Sequence, residues 1–159
     1  PRMSLPRRNP WDIDDPTPGN PGSVNCPIFS CTDLRPNPDH TPRSNGCGGD
    51  DNDLVPEIPI GIVDFTSCCD AHDLAYDTCQ LGRTPASDFD QQFCSCTRSK
   101  CDSIIGPANW LCRILAEVYC NVVREVGPSF YCAAQERACI CCDGPDELRD
   151  PRCLWVAPH

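Results

Sequence analysis

The sequence predicts an all-α domain held together by disulfides, on three observations. Helical periodicity begins near residue 64 and recurs in four segments. Strand-like alternation is scarce in the same region. Sixteen of the 159 residues are cysteine, an even number that allows all of them to pair. Because a reducing compartment would keep so many thiols free, we expect a secreted protein with a disulfide framework.

The first two helices are predicted from their capping residues. A helix over residues 64–77 can be capped by Asp64 or by Thr66. A second helix should cover residues 85–100, because Thr84 is a good N-cap and a proline follows it at the first helical position. A short turn joins the two, so we expect them to form an antiparallel hairpin.

Glycine–proline pairs set the predicted limits of the next helices. Gly106-Pro107 should open the third helix, and Gly127-Pro128 should close it as a terminal glycine followed by proline. Ser129 could then cap a fourth helix that ends near Cys142. The third helix carries an apolar stripe that we assign to the core: Trp110, Leu111, Ile114, Leu115, Val118, Tyr119 and Val122.

Proline dominates the start of the chain, with ten of its 18 prolines in the first 46 residues. Such a stretch cannot donate regular backbone hydrogen bonds, so it should be extended or polyproline-like. We interpret it as an arm that lies over the domain and is partly tied to it through Cys26 and Cys31. An arm that binds a protein partner is the alternative interpretation.

The formal net charge of −10 argues against nucleic-acid binding, which requires cationic groups that neutralise phosphates. It also argues against strong electrostatic docking on anionic lipid. No run of about 18 apolar residues exists, so no transmembrane segment is expected. No apolar signal-peptide core is found either, which is typical of a mature form.

The segment from residue 67 to residue 77 is the most informative part of the chain. On a helix, Cys68, His72 and Tyr76 recur every four residues and therefore share one face. In an antiparallel hairpin, residues whose numbers sum to about 162 lie opposite each other, which pairs His72 with Asp90 and Cys68 with the Cys94–Cys96 region. A carboxylate facing a histidine steadies the imidazolium formed on proton uptake, so the pair predicts a general-base dyad.

Asp73 lies on the neighbouring face of the same helix, where its carboxylate could bind a hard cation. The candidate partner is the glycine-rich loop over residues 45–50, and a Cys47–Cys69 bridge would hold that loop beside Asp73. Its backbone carbonyls could turn toward Ca²⁺, and its N–H groups toward a developing oxyanion. The sequence therefore predicts that base, metal ligand and oxyanion donor converge on one point.

At these residues the chain resembles the secreted phospholipase A2 enzymes. Their motif Cys-Cys-x-x-His-Asp-x-Cys-Tyr stands here at residues 68–76, and the resemblance extends over residues 45–142. The branch it is most similar to is group XII. That similarity rests on Asn45-Gly46-Cys47-Gly48, Ile60-Gly61-Ile62, Tyr76-Asp77-Thr78-Cys79, Asp90-x-x-Phe93-x-x-Cys96 and Arg137-Ala138-Cys139-Ile140-Cys141.

One departure from the family motif is Ala75, where most of the superfamily has a half-cystine. The partner of that cysteine would stand just before the dyad aspartate, and here that residue is Phe89. Both ends of the bridge are therefore missing together, which leaves no orphan thiol. The family register also implies a Cys68–Cys96 disulfide, which we favour over the Cys94 partner of a symmetric hairpin.

The resemblance implies hydrolysis of the sn-2 ester of glycerophospholipids at a phospholipid interface. His72 would be the general base for water, Asp90 would orient it, and Tyr76 would support the network. Ca²⁺ would be the cofactor, and the Gly48 N–H would help to hold the oxyanion. The implied calcium ligands are Asp73 and the backbone carbonyls of Gly46, Gly48 and Asp50.

The resulting organisation is a proline-rich arm (1–44), a phospholipase A2-like catalytic domain (45–143) and a C-terminal tail (144–159). The main rival interpretation is a non-catalytic structural or binding component of an extracellular assembly, because fold does not determine function. A disulfide-rich inhibitor or toxin is a third interpretation, and it predicts no bound calcium. Retention of His72, Asp73 and Asp90 favours the enzyme.

Overall fold

The computed structural model describes residues 26–47, 63–144 and 150–154. Helices dominate this part of the chain, and the predicted all-α, disulfide-rich class is confirmed. After a 3₁₀ turn over Pro27–Ser30, the elements are β1 (Leu34–Pro36), α1 (Thr66–Tyr76), α2 (Ala86–Cys101), α3 (Pro107–Ala138), β2 (Cys139–Cys141) and α4 (Pro151–Leu154). Within the described residues, none of the helices combines the length and the apolarity that a bilayer crossing requires.

Helices α1 and α2 match the first two predicted helices to within two residues at each end. Their starts differ in detail from the prediction. Phe65 occupies the N-cap position of α1, although the Asp64 carboxylate does accept the N–H of Thr66 at 2.8 Å. The extended Pro85 occupies the N-cap position of α2, so the expected cap at Thr84 is wrong. An N-cap residue typically has an extended conformation, which Pro85 adopts, and the helix starts here without a side-chain cap.

Helix α3 is a single helix of 32 residues, so the predicted break at Gly127-Pro128 is wrong. Pro128 lies inside the helix and is buried, while the Ser129 hydroxyl donates to the carbonyl of Val126 instead of capping a new helix. An interior proline costs a helix roughly 3 kcal/mol. Packing after the proline offsets this cost, since Tyr131 is buried and Cys132 is bonded to Cys26.

The helix ends at Ala138, short of the predicted end near Cys142, because the next three residues pair with β1. The two strands are antiparallel, with Leu34 opposite Cys141 and Pro36 opposite Cys139. Three-residue strands are too short to produce a recognisable alternation in the sequence, which explains the weak strand signal.

All sixteen cysteines form disulfides, which is consistent with an extracellular protein. The predicted Cys47–Cys69 and Cys68–Cys96 pairs are both confirmed, and so is the attachment of the N-terminal segment through Cys26 and Cys31. The remaining partners join distant parts of the chain. The eight bridges are Cys26–Cys132, Cys31–Cys141, Cys47–Cys69, Cys68–Cys96, Cys79–Cys139, Cys94–Cys120, Cys101–Cys112 and Cys142–Cys153.

The main core lies where α1, α2 and α3 meet, around Phe65, Phe93 and Tyr119. The assignment of the whole α3 stripe to this core is wrong. Trp110 is 68% exposed and Ile114 is 40% exposed, whereas Tyr119 is buried. Disulfides and aromatic rings fill the centre of this small domain, so the elements packed against α3 cover only part of its apolar stripe.

Candidate active site

His72 and Asp90 meet across the α1–α2 hairpin, as the spacing predicts. The Nε2 atom of His72 lies 2.9 Å from Oδ1 of Asp90. Both side chains are nearly buried, with 8% and 4% of their surfaces exposed. Because a carboxylate only accepts hydrogen bonds, Nε2 carries the hydrogen and the other ring nitrogen, Nδ1, is left to act as a base.

Tyr76 completes this network from one turn further along α1. Its hydroxyl donates to the same Asp90 Oδ1 atom at 2.6 Å, and its ring centroid lies 4.1 Å from that of His72. Burial, followed by the hydrogen bond to Asp90, raises the pKa of Tyr76 above its ordinary value. The phenol therefore remains protonated and serves as a permanent donor to the carboxylate.

The pKa of His72 is set by opposing effects. Burial alone would lower it, because a charged imidazolium is poorly solvated there, but contacts with Asp73 and Asp90 outweigh burial and raise the pKa above its ordinary value. The Nδ1 atom lies 4.0 Å from Oδ1 of Asp73, which is too far for a direct hydrogen bond. That nitrogen can therefore accept a proton from a third group such as water.

Asp73 connects α1 to the start of the glycine-rich loop. Its Oδ2 atom accepts the N–H of Asn45 at 3.1 Å, and the Cys47–Cys69 disulfide fastens the loop one turn before Asp73. Gly46 is buried and has a φ of 77°, a conformation that favours glycine. The predicted ligands Gly48 and Asp50 lie outside the described residues.

The described part of this loop fits Ca²⁺ in the chemistry of its donors. Ca²⁺ prefers oxygen ligands, which here would come from the Asp73 carboxylate and from backbone carbonyls such as that of Gly46. The Asp73 side chain is 27% exposed, and its Oδ1 atom faces the His72 ring from 4.0 Å. The loop and the histidine are therefore brought to the same carboxylate.

Two residues of α3 support the network and have no motif that would reveal them. A Cβ atom added to Gly127 would lie 2.6 Å from the Tyr76 hydroxyl, so this glycine packs directly on the network. The amide of Gln135, which is fully buried, binds the backbone at the end of α1. Helical periodicity on both sides of Gly127-Pro128 predicts helix there, but it does not reveal that the two segments form one helix.

Phe89, which stands at one end of the bridge that the family motif would have, packs here in an aromatic cluster. The centroid of the Phe89 ring lies 6.3 Å from that of Tyr76 and 6.0 Å from that of Tyr131. The centroids of the two tyrosine rings are 4.9 Å apart. Edge-to-face contacts of this kind stabilise aromatic clusters. The cluster therefore supports the end of α1 that carries Tyr76.

A second histidine–aspartate pair lies near the site. His40 Nε2 is 3.1 Å from Oδ2 of Asp77 and 3.0 Å from its backbone carbonyl. The same Oδ2 atom accepts the N–H of Arg43 at 2.9 Å. These bonds fasten the segment before the loop to the end of α1, so we assign this pair a structural role.

Comparisons with known proteins agree with the resemblance. The chain is 29% identical over 102 residues to the human group XIIA secretory phospholipase A2, a region covering 61% of this chain and 51% of that protein. It is 28% identical over 96 residues to the mouse group XIIB secretory phospholipase A2-like protein, covering 57% of this chain and 48% of that protein. The chain spans about half the length of these relatives. No family model matches the sequence, and no solved structure matches it either.

Proposed function

The matched relatives support the secreted phospholipase A2 superfamily, and its group XII branch, as the family of this chain, and on that premise we propose calcium-dependent hydrolysis of phospholipids. The bond cleaved would be the sn-2 ester of a glycerophospholipid. The observation that carries the proposal is the 2.9 Å contact between His72 and Asp90. Among the described residues nothing hydrogen-bonds Nδ1 of His72, which lies 4.0 Å from Asp73 Oδ1.

In the first step, Nδ1 of His72 takes a proton from a water molecule. The water oxygen bonds to the carbonyl carbon of the ester, and the carbonyl π electrons move to its oxygen, which becomes an oxyanion. Asp90 accepts the Nε2 hydrogen throughout, so it fixes the orientation of the ring and stabilises the imidazolium. No side chain of the protein becomes covalently attached to the substrate.

In the second step, the oxyanion re-forms the carbonyl and the bond to the sn-2 oxygen breaks. The imidazolium returns its proton to the leaving alkoxide, which yields a free fatty acid and a lysophospholipid. Tyr76 donates to Asp90 during both steps and limits movement of the carboxylate. Atoms and charge balance, since one water is consumed and the histidine returns to its starting form.

Asp73 would hold Ca²⁺ together with the carbonyls of Gly46, Gly48 and Asp50. When bound, Ca²⁺ supplies positive charge toward the ester carbonyl and the phosphate of the substrate. The Gly48 N–H would add a hydrogen bond to the oxyanion. Support for this arrangement comes from the Asn45–Asp73 bond and the Cys47–Cys69 bridge, which hold the loop against the aspartate.

The substrate would be presented at a phospholipid interface, and the protein would act outside the cell. Eight disulfides support an oxidising compartment. With a formal net charge of −10, the chain should accept zwitterionic or neutral interfaces at least as well as strongly anionic ones. A protein partner bound through the N-terminal arm (1–44) remains a separate hypothesis.

A regiospecific lipid assay tests the proposal. Phosphatidylcholine vesicles labelled at the sn-2 chain, and a matched set labelled at the sn-1 chain, are incubated with the full chain in Ca²⁺ or in EDTA. We expect labelled fatty acid from the sn-2 set alone, and only with Ca²⁺. If the folded protein in Ca²⁺ releases no fatty acid from any phospholipid headgroup class, the non-catalytic binding or structural function replaces this one.

A further inference from the structure

We propose that Gly127 of α3 is a positioning residue, which holds the Tyr76 hydroxyl against Asp90 and thereby keeps His72 aligned. The inference rests on the proposed function for its effect on hydrolysis. Its structural part, the coupling between Gly127 and the Tyr76 hydroxyl, can be measured without any activity.

Position 127 has no room for a side chain. A Cβ atom built on Gly127 would lie 2.6 Å from the Tyr76 hydroxyl oxygen, 3.4 Å from Asp90 Oδ1 and 3.6 Å from Cζ of Tyr76. A separation of 2.6 Å is far inside van der Waals contact, so a side chain here forces the hydroxyl or the backbone of α3 to shift. The backbone of α3 therefore forms the wall against which the hydroxyl rests.

Tyr76 itself has little room in which to move. Its ring lies 4.1 Å from the His72 ring and 4.9 Å from the Tyr131 ring, and its hydroxyl is bonded to Asp90 at 2.6 Å. A push from position 127 would pass to the histidine or to the carboxylate. The positions of both His72 and Asp90 therefore depend on where the Tyr76 side chain lies.

The Gly127-Pro128 pair is locally unfavourable for a helix. Glycine followed by proline is unfavourable inside a helix, yet here both residues lie inside α3 and both are buried. A second explanation for the glycine is that it precedes a proline. Without a Cβ atom it avoids a clash with the proline ring. A test must therefore separate this backbone effect from the contact with the hydroxyl.

A double-mutant cycle makes that separation, using the wild type, Gly127→Ala, Tyr76→Phe and the double variant. The strain of alanine before Pro128 is the same in both backgrounds, while the close contact with the hydroxyl exists only when Tyr76 is present. Each protein is measured for kcat and apparent KM on phosphatidylcholine vesicles with Ca²⁺, and for its unfolding midpoint in guanidinium. Gly82→Ala is the matched control, because its added Cβ would come no closer than 3.9 Å to Thr84 Oγ1.

We expect Gly127→Ala to lower kcat by about tenfold or more with little change in apparent KM, since small displacements of catalytic groups are costly. In the Tyr76→Phe background the same substitution should lower kcat less than about threefold, which is rescue by removal of the hydroxyl. The unfolding midpoint should likewise fall more when Tyr76 is present than in the Tyr76→Phe background. Gly82→Ala should match the wild type in both measurements.

If Gly127→Ala lowers kcat and the unfolding midpoint equally in the two backgrounds, the proposal is overturned. The effect would then come from the helix backbone alone and not from the contact with the hydroxyl. Failure of both Gly127→Ala proteins to fold would overturn the proposal for the same reason. If only the variant that keeps Tyr76 fails to fold, the rescue by phenylalanine supports it. A wild type without hydrolytic activity would refute the proposed function, while the coupling in the unfolding midpoints would still decide the contact between Gly127 and Tyr76.

Discussion

Replacement of the buried Gln135 by methionine should destabilise the protein through the end of α1. The side-chain amide of Gln135 donates to the carbonyls of Tyr76 and Thr78 at 2.7 and 2.9 Å, and it accepts the N–H of Gln80 at 2.8 Å. Methionine has a similar volume and fills the space without making these bonds. The carbonyl of Tyr76 and the N–H of Gln80 would lose this partner inside the protein.

The magnitude follows from the three bonds. A hydrogen bond contributes roughly 0.5–1.5 kcal/mol to stability, and more is lost when the partner left behind is buried. Thr78 keeps a second donor, because the side chain of Gln80 also binds its carbonyl at 3.1 Å. We therefore expect a loss of roughly 2–3 kcal/mol in the free energy of unfolding.

Equilibrium unfolding in guanidinium, with the disulfides intact, measures this loss. Gln92→Met is the matched control, since Gln92 is exposed on α2 and its replacement should change stability by less than about 0.5 kcal/mol. A Gln135→Met variant as stable as that control would refute the reasoning. It would also contradict the continuation of α3 beyond Pro128, which brings Gln135 to the end of α1.

Three further predictions concern the aspartates. Asp73→Asn should abolish Ca²⁺ binding in calorimetry, and an affinity equal to that of the wild type would exclude Asp73 as a ligand. Asp90→Asn should slow hydrolysis less than His72→Gln, because it disturbs orientation and charge without removing the base; a larger loss in steady-state rate would reverse these roles. The N–H groups of Thr32 and Asp33 donate hydrogen bonds to Asp143 and lower its pKa below the ordinary value of 3.8. The charged carboxylate therefore stabilises the folded protein above pH 3.8, and this contribution is lost as the pH falls through the lowered pKa. The unfolding midpoint of Asp143→Ala should therefore be lower than that of the wild type at about pH 7, and the difference should shrink in acid.

The hairpin that carries the dyad could be predicted because its signals are local. The helical period places Cys68, His72 and Tyr76 on one face of α1, and a short turn determines which residue of α2 lies opposite. The 2.9 Å contact between His72 and Asp90 agrees with that register. Nothing distant along the chain is needed to bring these residues together.

The continuity of α3 could not be predicted, because local and distant effects oppose each other there. Gly127-Pro128 is a strong local signal for the end of a helix. The contacts that outweigh it come from far along the chain, such as the Cys26–Cys132 disulfide across 106 residues. For the same reason the approach of Gly127 to Tyr76 could not be predicted from the sequence. Most of the contacts by which α3 supports the site were missed with it.

The short sheet and most of the disulfides could not be predicted either, because their sequence signals are too weak. Sixteen cysteines allow very many pairings, and only those next to the motif could be assigned. Strands of three residues carry too little pattern to be recognised, although their pairing brings Leu34 next to Cys141. Local periodicity therefore predicted the site better than the frame around it.

We propose His72 as the general base of a calcium-dependent phospholipid hydrolysis. The most direct measurement compares fatty acid release by the wild type, His72→Gln and His40→Gln on phosphatidylcholine vesicles at saturating Ca²⁺. His40 is the matched control, because it also contacts an aspartate, Asp77, but lies outside the dyad. Glutamine can keep a hydrogen bond but cannot take up the proton of water, so His72→Gln should be slower by ~10²–10⁴-fold while His40→Gln keeps most of the activity. A His72→Gln protein that hydrolyses the lipid as fast as the wild type would contradict the claim.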